Sequence, residues 1–183
     1  MKRYIRISLL LPLLVICLQS CSKGIDLKNK YVWEDNHFSI NYPSSWKRVD
    51  AEESGKLRFT GNSASVDSAY QEEKMKFAVD VYKLPRQLST REVCNQNVKE
   101  IKSDPRFENV KILELKEVKL DGHDGMMLYF AADISGYKMC ALQYFVVIGR
   151  DFYILAGGAV SKSMSQKMKD FYVAMANTAK FNV

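Results

Sequence analysis

Reactive side chains are sparse here: 183 residues hold four cysteines, at 17, 21, 94 and 140, and two histidines. A thiol can bridge, ligate a metal, carry a lipid or attack as a thiolate, and spacing decides which of these a chain can use. No Cys-x-x-Cys pair, nucleophile elbow or phosphate loop is present. His123 stands between Asp121 and Asp124, which offers three metal-ligand types. The same Asp and Gly residues are what a hairpin turn demands of the backbone, so residues 121–125 read as a turn without a metal. His37 beside Asp35 reads as a surface polar residue. The pairs Glu52-Glu53 and Glu72-Glu73 lie in polar stretches, where a solvated carboxylate keeps an ordinary pKa. Spacing therefore assigns no catalytic residue, no metal and no cofactor, and leaves enzymatic activity open with a non-catalytic role favoured.

Cys21 is different because of what precedes it. Lys2, Arg3 and Arg6 form a cationic start, and residues 7–18 are an apolar run containing Pro12. Twelve residues are too few to cross a bilayer about 30 Å thick as a helix, so the segment reads as an export signal. Its end, Leu18-Gln19-Ser20-Cys21, resembles the lipobox of bacterial lipoproteins, with Gln19 the main departure from it. That resemblance implies cleavage before Cys21 and a lipid on its thiol; cleavage after Ser22 is the alternative. At roughly 0.8 kcal/mol per buried methylene, a diacylglycerol and an N-acyl chain hold a protein on a membrane almost irreversibly. The expected layout is a signal peptide over 1–20, a lipidated Cys21 with its tether over 21–36, and one domain over 37–183. Export places the domain in a bacterial cell envelope, facing the periplasm or exterior. Ser22 and Lys23 after the cysteine favour the outer membrane.

With Cys17 lost in the signal and Cys21 lipidated, Cys94 and Cys140 remain. Export meets an oxidising compartment, so one disulfide is open to them. Closing that 46-residue separation would contribute roughly 4 kcal/mol in the chain-entropy account. The bridge requires the helix bearing Cys94 to cover the strand bearing Cys140. Two separately buried thiols are the equal alternative.

The elements that must position these groups follow from periodicity. Residues 125–160 hold three apolar segments parted by Ser135-Gly136 and Gly149-Arg150-Asp151, a meander of antiparallel strands. The middle strand is apolar on both alternating sets, Cys140, Leu142, Tyr144 and Val146 against Met139, Ala141, Phe145 and Val147, so both faces need cover. Before it, residues 37–42 read as a strand ended by Pro43, with Trp46 in the turn. Leu57 and Phe59 mark a short strand, residues 61–73 a polar loop, and Met75, Phe77, Val79 and Val81 alternate cleanly. Ser89 and Glu92 make a capping box for a helix with the stripe Val93, Cys94, Val98 and Ile101, stopped by Asp104-Pro105. The apolar set of the strand over 109–120 slips by one residue twice, which predicts a bulge near Ile112 or Glu117. A last helix, capped by Ser163 and Gln166, has the stripe Met164, Met168, Phe171, Tyr172 and Met175.

Residues 38–43 (Phe-Ser-Ile-Asn-Tyr-Pro) with Trp46, the Asp121-Gly122 turn before a Tyr-containing strand, and residues 152–155 (Phe-Tyr-Ile-Leu) before an amphipathic helix ending at Phe181 together resemble the PsbP-like family. The likeness spans residues 38–181. It implies an α+β fold, an α/β/α sandwich whose antiparallel sheet of six or seven strands carries helices on both faces. It implies little chemistry, because family members bind partners or stabilise membrane complexes and a fold does not name an activity.

Removing residues 1–20 takes three cations and no acids, leaving 24 basic and 21 acidic side chains, too small an excess to argue for nucleic acid. Lys111, Lys116 and Lys119 read as a solvated strand face, the alternative being contact with anionic lipid. The function this points to is a membrane-tethered, non-catalytic binding or assembly factor for another envelope protein. Tyr31, Trp33 and Trp46 are its candidate partner patch, unless they are covered core or edge residues. The alternative is a small-molecule binder or enzyme with a pocket between the meander and a helix, where Gly157-Gly158 allows close approach either of a ligand or of that helix.

Overall fold

The computed structural model describes residues 25–50, 55–62, 66, 74–160 and 164–181. Cys21, the signal segment 1–20, the glutamate pairs at 52–53 and 72–73, and Ser163 lie outside the described residues.

Among the described residues ten strands and two α-helices follow in the order β1 (Asn29–Trp33), β2 (Phe38–Tyr42), β3 (Lys47–Asp50), β4 (Lys56–Asn62), β5 (Lys74–Lys83), α1 (Thr90–Ser103), β6 (Phe107–Leu120), β7 (His123–Ile134), β8 (Tyr137–Ile148), β9 (Asp151–Ala159), α2 (Gln166–Asn177) and β10 (Lys180–Phe181). Seven strands make one antiparallel sheet in the order β3-β4-β5-β9-β8-β7-β6. The turns that fold its meander are tight because both central residues accept positive φ: Asp121 at 49° with Gly122 at 82°, and Ser135 at 50° with Gly136 at 81°. That pairing of left-handed residues suits the twist of two-residue hairpins.

β8 shows why two helices are needed. Cys140, Leu142, Tyr144 and Val146 belong to a buried cluster with Met168, Phe171, Tyr172 and Met175 of α2. Ala141 and Phe145, on the opposite face, belong to a second cluster with Val93, Cys94 and Ile101 of α1. The sheet is therefore the middle layer of an α/β/α sandwich, with one helix on each side.

A second, three-stranded sheet, β1-β2-β10, lies on the α2 side and contributes Phe38, Ile40 and Phe181 to that cluster. Phe38 stacks on Tyr153 of the large sheet with ring centroids 6.0 Å apart. This small sheet departs from expectation. Residues 29–33, expected in the tether, pair along their whole length with β2, and a 3-10 turn at Glu34–Asn36 leads into that strand. β3 falls where the sequence reading named no element, and the α2 cap is Ser165, whose Oγ accepts from Met168 N at 3.2 Å.

The α1 cap is as expected: Ser89 Oγ accepts from Glu92 N at 3.2 Å, and Ser89 N donates to the Glu92 carboxylate at 2.7 Å. The Ser89 N–H and the Ser89 hydroxyl, both donating to the Glu92 carboxylate at 2.7 Å, hold its pKa below its ordinary value. The β6 register shifts between Ile112 and Glu114, as the slip in its apolar set predicts, and again between Glu108 and Lys111. Glu117 instead sits in regular register with Met126.

Candidate functional site

The three aromatics proposed as a partner patch do not form one. Pro43 O accepts from Trp46 N at 3.0 Å, and that turn sends the indole inward, where it is 3 % exposed and 5.1 Å from the Phe171 ring. Trp33 and Tyr31 are half-buried against the same cluster, and Arg48 lies 4.8 Å over the Tyr31 ring. A patch needs exposed rings, and neither tryptophan is exposed, so Tyr31, Trp33 and Trp46 are core and edge residues.

The candidate disulfide is also overturned. Cys94 and Cys140 are both buried, and neither is in a disulfide. α1 does cover β8, but Cys140 points to the α2 side of the sheet while Cys94 lies on the α1 side. One residue of strand parity separates a bridge from two thiols with a sheet between them. Burial raises the Cys94 pKa to about 11, so the thiol stays protonated and apolar in character.

The Gly157-Gly158 pair serves the helix. A Cβ on Gly157 would stand 2.3 Å from the Tyr172 ring, and the Tyr172 hydroxyl donates to Gly158 O at 2.9 Å. No ligand is required to explain these glycines. His123 packs edge-on against Phe181, 5.7 Å between centroids. Asp121 accepts from Lys180 Nζ at 2.6 Å and Phe181 N at 3.1 Å, and Asp124 accepts from Lys119 at 2.5 Å. Each carboxylate near His123 thus has its own lysine, and those hydrogen bonds lower both pKa values. Among the described residues no group of three or more His, Cys, Asp or Glu is placed to hold a metal ion.

A cleft does lie between the meander and a helix. It measures about 600 Å³ and opens where the start of α1 meets β6 and β7, lined by Thr90, Arg91, Glu117, Lys119, Asp124 and Met126 among others. Thr90 fixes its geometry: Val147 N donates to Thr90 Oγ1 at 3.2 Å, and that hydroxyl donates to Asp124 O at 3.2 Å. The charges on its walls are paired, Arg91 of α1 with Glu117 of β6 and Lys119 with its cross-strand neighbour Asp124. On the α2 side of the sheet, Glu114 accepts from Lys116 at 2.7 Å and from Lys169 of α2 at 2.9 Å, and its pKa is lowered in consequence. Lys116 is thus paired on the α2 side of β6 and Lys119 on its α1 side, and Lys111 is exposed. The cleft offers ion pairs, backbone groups and hydroxyls, and its Ser89 Oγ donates to the Glu92 carboxylate at 2.7 Å within the α1 capping box. Among the described residues no helix is long and apolar enough to cross a membrane.

Comparison with known proteins adds the following. A family model described as PsbP-like protein matches residues 18–177. No curated protein matches the chain. Among solved structures, a cyanobacterial PsbP (CyanoP) from Synechocystis is similar at 15 % identity and a TM-score of 0.60, over 90 % of this chain and 98 % of that one. LpqN of Mycobacterium tuberculosis, described as involved in cell envelope biogenesis, is similar at 14 % identity and a TM-score of 0.59, over 78 % of this chain and 81 % of that one. A Bacteroides thetaiotaomicron protein is similar at 17 % identity and a TM-score of 0.55 over 85 % of this chain, which spans about half, 48 %, of that protein.

Proposed function

The chain belongs to the PsbP-like family, and from that premise we propose that it is a binding or assembly factor, without catalysis of its own, for another protein of the cell envelope. The observation that carries the reading is the family match over residues 18–177, nearly the whole domain. The likeness in fold to LpqN, a protein described as involved in cell envelope biogenesis, supports it. In this proposal the lipid on Cys21, inferred from Leu18-Gln19-Ser20-Cys21 behind a cationic and apolar start, holds the domain at the membrane. Ser22 and Lys23 favour the outer one.

One observation favours a second reading, as a small-molecule binder or enzyme: the cleft of about 600 Å³ between α1 and the meander is within the size of ligand pockets. Its wall charges are paired with one another, and a ligand would have to break those pairs, so the first reading is preferred.

The experiment is cross-linking of tagged full-length protein in its native cells, with Cys21→Ala as control. A reproducible envelope protein captured by the wild type and lost with Cys21→Ala is the expected result. Absence of any protein neighbour in both samples refutes the assembly reading, and a Cys21→Ala protein that still sediments with membranes refutes the anchor.

A further inference from the structure

The two faces of the seven-stranded sheet are covered unequally. On its α1 side the helix lies over β6, β7 and β8, and no described helix lies over β9, β5, β4 and β3. Strand register defines what the open half presents. One row runs from Val49 through Arg58 and Ala78 to Ala156, and continues to Gln143 on the helix-bearing half. The next row runs Lys47, Thr60, Lys76, Gly158, and a third sets Lys56 beside Asp80.

Two properties of this half-face stand out. Its floor is made of small residues, Ala78, Ala156 and Gly158, which let another backbone come close. Its rim is cationic: Lys47, Lys56, Arg58 and Lys76 against the single acid Asp80, an excess of three among these described side chains. Arg58 already pairs with Asp80, while Lys47 and Lys76 are exposed.

At one end of the floor a pocket of about 510 Å³ opens between Lys76, Ile134, Tyr137, Met139, Gly158 and Val160. Tyr137 is 67 % exposed and Val160 60 % exposed, the two most exposed large apolar side chains among the described residues. Exposed apolar groups on the lip of an apolar recess contribute nothing to the isolated domain. They are buried only when another surface fills the recess, which is the arrangement of an anchor pocket within an interface.

We propose that this half-face is the docking surface for an acidic protein segment, which lies across β9, β5 and β4 and places one bulky apolar side chain in the pocket. This deepens the assembly reading and rests on it. Three strand spacings of about 4.8 Å make the open floor about 14 Å wide, more than a small ligand needs and enough for a helix or strand. An anionic bilayer surface would meet the lysines but brings nothing shaped to fill the recess. Complementary charge would steer the encounter and fix its orientation, and the buried apolar anchor would hold it.

The test uses full-length protein in its native cells with a photoreactive benzoylphenylalanine in place of Tyr137 or Val160, and, as control, in place of Leu113, which is 50 % exposed on β6. The expected result is one protein adduct from both pocket positions and none from position 113. Lys47→Glu with Lys76→Glu should lower its yield at least tenfold, while Lys111→Glu, an exposed lysine elsewhere, leaves it unchanged. Thermal melting of the reversed variants checks that both remain folded. The cross-linked peptide of the partner should carry acids around an apolar residue, and changing those acids to lysine should restore the adduct with the reversed variant. A protein adduct at position 113 alone, or one indifferent to charge reversal, overturns the surface and keeps the assembly reading. A lipid adduct alone overturns the surface in favour of a membrane contact. No protein adduct at any position overturns both.

Discussion

Gly157 faces the ring of Tyr172, a side chain with no exposed surface, at a separation no Cβ tolerates. Because the Tyr172 hydroxyl is held by Gly158 O and its ring stacks on Phe77 at 6.1 Å, it has no room to retreat. Overpacking a filled core costs roughly 1–3 kcal/mol, so Gly157→Ala should destabilise the domain by about 3 kcal/mol in urea unfolding. In a Tyr172→Ala background the same change should cost under about 1 kcal/mol, since the clash is gone; equal losses in both backgrounds would place the constraint in the backbone instead. Of this contact only the glycine pair was visible in the sequence, which favoured close packing of a helix over a ligand but could not name Tyr172. The cysteines teach the same limit. Alternation placed Cys140 on one face of its strand with Leu142 and Tyr144, correctly, but no periodicity within β8 says which helix lies over which face. Trp46 was left open between patch and core for a related reason: nothing local to its turn says that Gly61 leaves a space that the indole fills.

Elements announced by local chemistry were legible, and those that depend on a distant partner were not. The α1 start is of the first kind, since both halves of its capping box lie within four residues. Ser89→Ala removes an acceptor from the first turn and should cost about 1 kcal/mol, with faster amide exchange at Glu92 while the α2 amides stay protected. Uniform loss of protection in both helices would mean that the cap governs global stability rather than the helix end. The bulge in β6 is of the same kind, because a slipped apolar pattern must be met by an extra residue. By contrast β1 is five residues with half-buried Asn29, Tyr31 and Trp33 alternating with exposed Lys30 and Val32. That alternation is present in the sequence, but two large apolar residues make a weak signal beside the expectation of a tether. Its pairing with β2 comes from register across the 3-10 turn. β10 is two residues long and exists only because β2 lies beside it. Strands of that length carry no periodicity to read.

At the scale of the whole molecule the sandwich and the size of its antiparallel sheet were accessible through family resemblance, while the strand order and the uneven cover of the sheet were not, because they depend on non-local pairing and on where a single helix settles across seven strands. What joins the two sheets is also non-local. The β6–β7 turn reaches β10 through Asp121, whose carboxylate accepts from Lys180 Nζ and Phe181 N, while Phe181 packs on His123 and Tyr153. The hydrogen bond from Lys180 is the first cause of the lowered Asp121 pKa, followed by that from Phe181. A carboxylate whose pKa is lower folded than unfolded stabilises fully above its unfolded value, near 3.9, and loses that contribution as pH falls through the folded value. Asp121→Asn should therefore lower stability by about 1 kcal/mol at pH 7. The difference from wild type should hold constant down to about pH 5 and vanish in the acid range below about pH 4. Other lowered carboxylates, such as Glu114 and Asp124, change both proteins alike and cancel in that difference. A gap that persists undiminished to pH 2 would show that the turn is held by shape and backbone bonding, and that the ionised carboxylate is not what ties the small sheet to the large one.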